Sequence, residues 1–153
     1  MKVKENSTQL KEHYKVEKHG FQLGTKDPIV YGDKFIVFAD AKELINTVAS
    51  KRGHKEIHTK VYCDGGGGFL KLSASIIPTS DDLPETIQNE NKYTSTKKSI
   101  LLAVVKDIPE NYYNLKKIFS LTNLNHCSYS FHADFKLMLI AIGNMFNQLI
   151  FFF

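Results

Sequence analysis

The chain has 153 residues, of which 42% are hydrophobic and 24% charged, and its formal net charge is +4. This length corresponds to one domain, and this composition excludes a wholly disordered, collagen-like or coiled-coil chain. Two cysteines, Cys63 and Cys127, are too few for a disulfide framework or a cysteine-rich zinc site. The start of the sequence lacks the apolar segment of a secretory signal, so we expect an intracellular protein of the nucleus or cytoplasm that is not secreted.

The positive charge of the chain comes almost entirely from lysine, because Arg52 is the only arginine. Lysine attracts phosphate, but it lacks the planar group with which arginine recognises a base. We therefore expect at most weak and non-specific binding of nucleic acid. The alternative is that the excess lysines form a mildly basic, solvated surface.

The first part of the chain divides into an arm and the start of a domain. Residues 1–27 are polar and have few apolar anchors, which predicts a loose or weakly helical arm. We assign residues 28–153 to the domain, whose first segment, at 28–31, is predicted to be extended. Residues 35–38 fit either a strand or the approach to a helix. Apolar residues at helical spacing then predict a helix over 41–50, with Asp40 before it as the cap.

Three strands are predicted next. Residues 57–63 alternate between apolar and polar side chains, and they are followed by Asp64 and by four glycines, Gly65, Gly66, Gly67 and Gly68. Residues 69–77 resume as a second strand, so the glycines are predicted to form the turn of a hairpin. The apolar run at 99–105 is typical of a strand buried on both faces.

The rest of the chain is predicted to contain a loop, two helices and one more strand. The polar stretch at 78–98 is predicted to be a long loop. Apolar spacing and an acidic, proline-containing start predict a helix over 107–121. Residues 127–133 alternate as a short strand would, and Asp134 follows them. The almost wholly apolar residues 136–153 are predicted to be helical.

The resulting order from residue 57, β-β-β-α-β-α, is that of the ribonuclease H-like fold, an α/β fold with a mixed sheet. The chain would hold this fold as a partial domain that is incomplete at its C-terminus. In that fold the first strand and the strand after the first helix are parallel neighbours. Asp64 and Asp134, at the ends of those strands, are therefore predicted to converge. Such a pair can bind Mg²⁺ or Mn²⁺, and the metal ions would polarise a phosphodiester and activate the attacking oxygen.

Three segments carry a resemblance to a group of uncharacterised proteins that are repeated many times in some animal genomes, which suggests a mobile-element origin. The segments are Val61–Lys71, Leu102–Tyr112 and Ala133–Leu137. Their layout is similar to that of DDE-type transposases with a ribonuclease H-like core, and the match covers roughly residues 28–143. In the resembling proteins a Cys-x-x-Cys usually follows the second aspartate, but this chain departs from the pattern after Gly143.

The resemblance implies that Asp64 is the first catalytic acid and Asp134 the second. The third acid is missing, because no Asp or Glu follows Asp134. Glu110 could stand in for it, although its position at a predicted helix start favours a capping role. We therefore expect a truncated and inactive relic of a transposable-element protein that processed DNA, and not a working enzyme.

Other interpretations of the same residues stay open. Asp64 could be an ordinary turn residue before glycine, and Asp134 could simply cap the last helix. Alternatively, Gly65 to Gly68 could cradle phosphate in a nucleotide-binding fragment of the actin-like or sugar-kinase type. Against that alternative, those enzymes need a second domain and a second glycine-rich loop.

The apolar C-terminal run at 137–153 has its own alternatives. It is at the short end of what can span a membrane, and it contains polar residues, so membrane attachment is not favoured. We prefer a helix that lacks packing partners. Its apolar surface predicts a non-enzymatic role in interaction or self-association.

Overall fold

The fold is mixed α/β and contains a six-stranded mixed sheet in the order β1-β2-β5-β4-β3-β6. The computed structural model describes residues 10–79, 99–134 and 136–140. Residues 136–140 are helical, and the remaining elements are bounded as follows: β1 Tyr14–Gln22, β2 Tyr31–Ala39, α1 Ala41–Lys51, β3 Ile57–Asp64, β4 Phe69–Pro78, β5 Ile100–Lys106, α2 Tyr112–Leu121 and β6 Ser130–Ala133.

The element order predicted from residue 57 is confirmed. Strands β3 and β4 form an antiparallel hairpin, and β4 pairs antiparallel with β5. The chain then crosses over through α2 and returns as β6, which lies parallel to β3. The two strands predicted to be parallel neighbours are thus side by side in the sheet.

Helix α1 follows its local sequence signals closely. The carboxylate of Asp40 accepts a hydrogen bond from the backbone N–H of Glu43 at 3.0 Å, as expected of a helix cap. Gly53 follows the helix with a φ of 75°, a left-handed conformation that favours glycine. The predicted helix at 41–50 and its cap are therefore confirmed.

The prediction of a loose or weakly helical arm over residues 1–27 is wrong. Within residues 1–27, the stretch Tyr14–Gln22 is strand β1, which pairs with β2 over its whole length. Its Phe21 side chain is 0% exposed and belongs to the core. Most of the other side chains of β1 are at least partly exposed, so the strand shows too little apolar alternation to be recognised.

Two predicted boundaries are also wrong. Helix α2 begins at Tyr112 rather than at 107, because Asn111 is its cap and accepts a hydrogen bond from the Asn114 N–H at 2.9 Å. Strand β6 begins at Ser130, so Cys127 lies before it. The predicted loop at 78–98 is described only at its first two residues, 78 and 79, and the C-terminal helix only at 136–140.

The sheet has one face that carries the core. The buried side chains of this inner face form a single apolar cluster with those of α1 and α2. Side chains on the opposite, outer face are more exposed, and Val16 and Phe35 are each 64% exposed. The outer face therefore presents its side chains to solvent on β1 and β2.

Candidate functional site

The two aspartates lie at matching ends of neighbouring parallel strands. The last register pair between β3 and β6 joins Cys63 to Ala133, and Asp64 and Asp134 are the next residue of each chain segment. The predicted adjacency of the two strand ends is therefore confirmed, and the convergence of the two carboxylates stays a prediction. We call this end of the sheet the carboxylate end. It contains Asp64 and Asp134, and the side chain of Glu110 reaches it from the segment before α2.

Each aspartate also has a local structural role. One oxygen of Asp64 accepts a hydrogen bond from the Gly66 N–H at 3.0 Å, and one oxygen of Asp134 accepts from the Leu137 N–H at 2.8 Å. Asp134 thus caps the helical segment at 136–140, and Asp64 stabilises the glycine turn. Both structural alternatives raised for these residues are present in the fold, and each of these hydrogen bonds uses only one oxygen of its carboxylate.

Glu110 joins the site from the segment before α2, and its predicted helix-capping role is wrong. Its carboxylate lies so close to Gly65 that a side chain at that position would overlap it. It also forms an ion pair with Lys136, whose Nζ is 3.0 Å from Oε2. The Glu110 side chain is only 18% exposed, so this pair is partly shielded from solvent.

The glycine turn is held by its own backbone. Gly67 and Gly68 have φ values of 68° and 77°, which other residues adopt only with strain. The N–H of Asp107, itself at a φ of 57°, donates to the Gly68 carbonyl at 2.8 Å and ties the end of β5 to the turn. Because Glu110 covers Gly65 with a negative charge, the arrangement disfavours the alternative in which Gly65 to Gly68 cradle phosphate.

The pKa of Cys63 is affected by the negative charges of the carboxylate end. Burial raises the pKa of Cys63 to about 12, and the negative charges of Glu110, Asp64 and Asp134 add to that effect. All three carboxylates therefore act on one buried thiol. Desolvation also raises the pKa of Cys127, which is less buried.

We expect Cys63 to resist alkylation in the native protein. At about pH 8 almost none of a thiol with so high a pKa is ionised, and the thiolate is the reactive form. Mass spectrometry after iodoacetamide treatment should show Cys127 modified first and Cys63 only after unfolding. Equal rates for the two thiols in the folded protein would contradict this.

A cluster of polar and aromatic side chains on the outer face of the sheet was not predicted from the sequence. The Ser130 hydroxyl lies 3.1 Å from the Nε2 atoms of both His58 and His132. The ring of His132 also packs on that of Tyr62, with 5.5 Å between centroids. These residues sit on β3 and β6, so the signal that could have found them is the predicted pairing of those two strands.

Within the described ranges, no group of three or more His, Cys, Asp or Glu side chains is arranged to hold a metal ion. In the same ranges, no helix has both the length and the apolar character needed to cross a membrane. Comparisons with protein-family models, with curated proteins and with solved structures found no match to this chain.

Proposed function

We propose that this chain is a ribonuclease H-like domain related to DDE-type DNA-processing proteins, and that Asp64 and Asp134 bind one Mg²⁺ or Mn²⁺ ion. The observation that supports the proposal best is the parallel pairing of β3 with β6, which ends immediately before both aspartates. The proposal implies an intracellular protein of the nucleus or cytoplasm.

The donor set at the carboxylate end suits a hard divalent cation. Mg²⁺ is commonly bound through one or two carboxylates with water in its other positions. A carboxylate offers about four lone pairs, and one backbone N–H occupies only one of them at Asp64 and at Asp134. Both side chains can therefore accept a cation while keeping their structural hydrogen bonds.

The carboxylates at this end of the sheet do not favour efficient catalysis. Phosphodiester transfer of this type uses two metal ions about 3.5–4 Å apart, which need further carboxylate ligands. Glu110 also belongs to the carboxylate end, but its carboxylate already holds the ammonium group of Lys136. We propose that this copy binds a cation and nucleic acid but cleaves DNA poorly or not at all.

We expect Asp64→Asn and Asp134→Asn each to weaken Mn²⁺ binding by about tenfold or more, because each removes a charged ligand and keeps the side-chain shape. Lys136→Ala should strengthen binding, because it removes a competing positive charge beside Glu110. Mn²⁺ binding can be measured on the full chain by electron paramagnetic resonance.

Asp33→Asn is the matched control, because Asp33 is an exposed acid on β2. It should titrate with Mn²⁺ as the wild type does. The proposal fails if Asp64→Asn and Asp134→Asn also titrate as the wild type does. Efficient cleavage of plasmid DNA by the wild type would instead refute the claim that this copy is inactive.

A further inference from the structure

A row of lysine and phenylalanine side chains crosses the outer face of the sheet beside the carboxylate end. Lys18 on β1 pairs with Phe35 on β2, and Phe69 on β4 pairs with Lys106 on β5. Directly paired residues of antiparallel strands project from the same face of a sheet. Each pair therefore places one aromatic ring beside one basic side chain.

The register between β2 and β5 joins the two pairs into one row. Ile36 pairs with Val105, so Phe35 and Lys106 occupy the next position of the same antiparallel register. Since neighbouring strands are about 4.8 Å apart, the two phenylalanines, two strands apart, lie about 10 Å from each other. We call these four residues, Lys18, Phe35, Lys106 and Phe69, the aromatic row.

The side chains of the aromatic row are available to a ligand. Phe35 is 64% exposed and Phe69 is 38% exposed, although both are large and apolar. The ammonium group of Lys18 lies 5.0 Å from the centre of the Phe35 ring, and that of Lys71 lies 5.7 Å from the centre of the Phe69 ring. Each ammonium group lies over its ring, so a base that stacks on that face would displace the lysine, whose charge could then contact the phosphate of the same nucleotide.

We infer that the aromatic row is a binding surface for single-stranded nucleic acid, with bases stacking on Phe35 and Phe69 and phosphates contacting the lysines. Exposed aromatic rings on a sheet face combined with basic side chains are the chemistry by which proteins hold unpaired strands. A duplex fits less well, because its bases are stacked on one another. The positive charge of the row favours a polyanion over an apolar protein partner.

The aromatic row leads directly to the carboxylate end. Lys71, which contacts the Phe69 ring, is the register partner of Asp64. On the other side of Asp64 the outer face continues with the packed rings of Tyr62 and His132. The aromatic row would therefore guide a single strand past the proposed cation site. This role rests on the proposed function.

The test uses fluorescence anisotropy of the full chain with a labelled oligothymidylate, in EDTA and in Mn²⁺. We expect Phe35→Ala and Phe69→Ala each to weaken binding by about fivefold or more, as loss of one stacked base would. Phe35→Leu should weaken it similarly, because leucine keeps apolar area but cannot stack as a ring. Lys18→Gln and Lys106→Gln should lower both the affinity and its dependence on salt.

Lys42→Gln is the matched control, because Lys42 is an exposed lysine of α1, whose buried side chains pack in the core on the other side of the sheet. It should leave affinity unchanged. The inference is overturned if the phenylalanine variants bind as the wild type does, if duplex binds as tightly as single strand, or if size-exclusion chromatography shows that Phe35→Ala only disrupts self-association.

The two proposals can fail separately. Asp64→Asn should abolish any gain in oligothymidylate affinity that Mn²⁺ gives to the wild type, because it removes a charged ligand of the proposed cation site. If Mn²⁺ changes the oligothymidylate affinity of every aspartate variant as it does that of the wild type, the cation site is refuted. That result would not contradict the aromatic row. If all aromatic-row variants bind as the wild type does and the Mn²⁺ effect still depends on Asp64, the aromatic row is refuted and the cation site is supported.

Discussion

Replacing Phe21 with alanine is expected to lower the free energy of unfolding by about 3–5 kcal/mol, the range found for a large buried aromatic side chain. Phe21 is 0% exposed and is the buried anchor of β1 in the core. Its removal leaves a cavity where the N-terminal hairpin meets the core. Urea denaturation followed by circular dichroism measures the change, which should appear in the midpoint and not in the slope.

Val16→Ala is the matched control for Phe21→Ala. Val16 lies on the same strand but is 64% exposed, so its truncation should change stability by about 0.5 kcal/mol or less. A similar small effect for both variants would mean that β1 does not contribute to the core.

Asn114→Leu is expected to destabilise the fold by about 3 kcal/mol or more. The buried Asn114 side chain accepts from the Gln22 N–H at 2.8 Å and donates to the carbonyls of Gln22 and Pro109 at 2.9 and 3.0 Å. Leucine has a similar size but leaves these three backbone groups without their partner, at a cost of about 1–3 kcal/mol each. Thermal and urea unfolding both measure the loss.

The control for Asn114→Leu is Gln22→Ala. This substitution removes the Gln22 side chain, which donates to the nearby Gly24 carbonyl, and keeps the backbone groups that Asn114 binds. It should cost well under half of the Asn114→Leu effect. Equal losses would show that the connection between β1 and α2 depends on side-chain packing rather than on the asparagine.

The parts of the fold that were predicted correctly are determined by residues that are close together in the sequence. Asp40 and Gly53 bracket α1, and the alternating residues of β3 are followed by an Asp-Gly turn. Short-range rules of capping and turn formation suffice there. The order of elements from residue 57 followed from these local signals and predicted that β3 and β6 are neighbours.

The errors fall where distant residues decide the structure. Strand β1 is specified by its pairing with β2 and by one buried side chain, which no local pattern reveals. The sequence around Asp107 and Pro109 resembles a helix start, but Asp107 takes a left-handed conformation that ties β5 to the glycine turn. Helix α2 then begins at the next good cap, Asn111.

The candidate site was only partly visible in the sequence for the same reason. The positions of Asp64 and Asp134 followed from the predicted strand ends. The contact of Glu110 with Gly65 and its ion pair with Lys136 depend on how three separate segments pack. The aromatic row depends on the register of four strands, so it could be recognised only in the assembled sheet.

Strand β1 forms one border of the sheet, which exposes a row of backbone groups that another chain could extend into a fibril. Its sequence places Lys15, Glu17 and Lys18 along that border. Docking of a second strand there would bring charged side chains of two molecules together and desolvate them. The same polar residues that concealed β1 in the sequence are therefore expected to protect the folded protein from edge-to-edge aggregation.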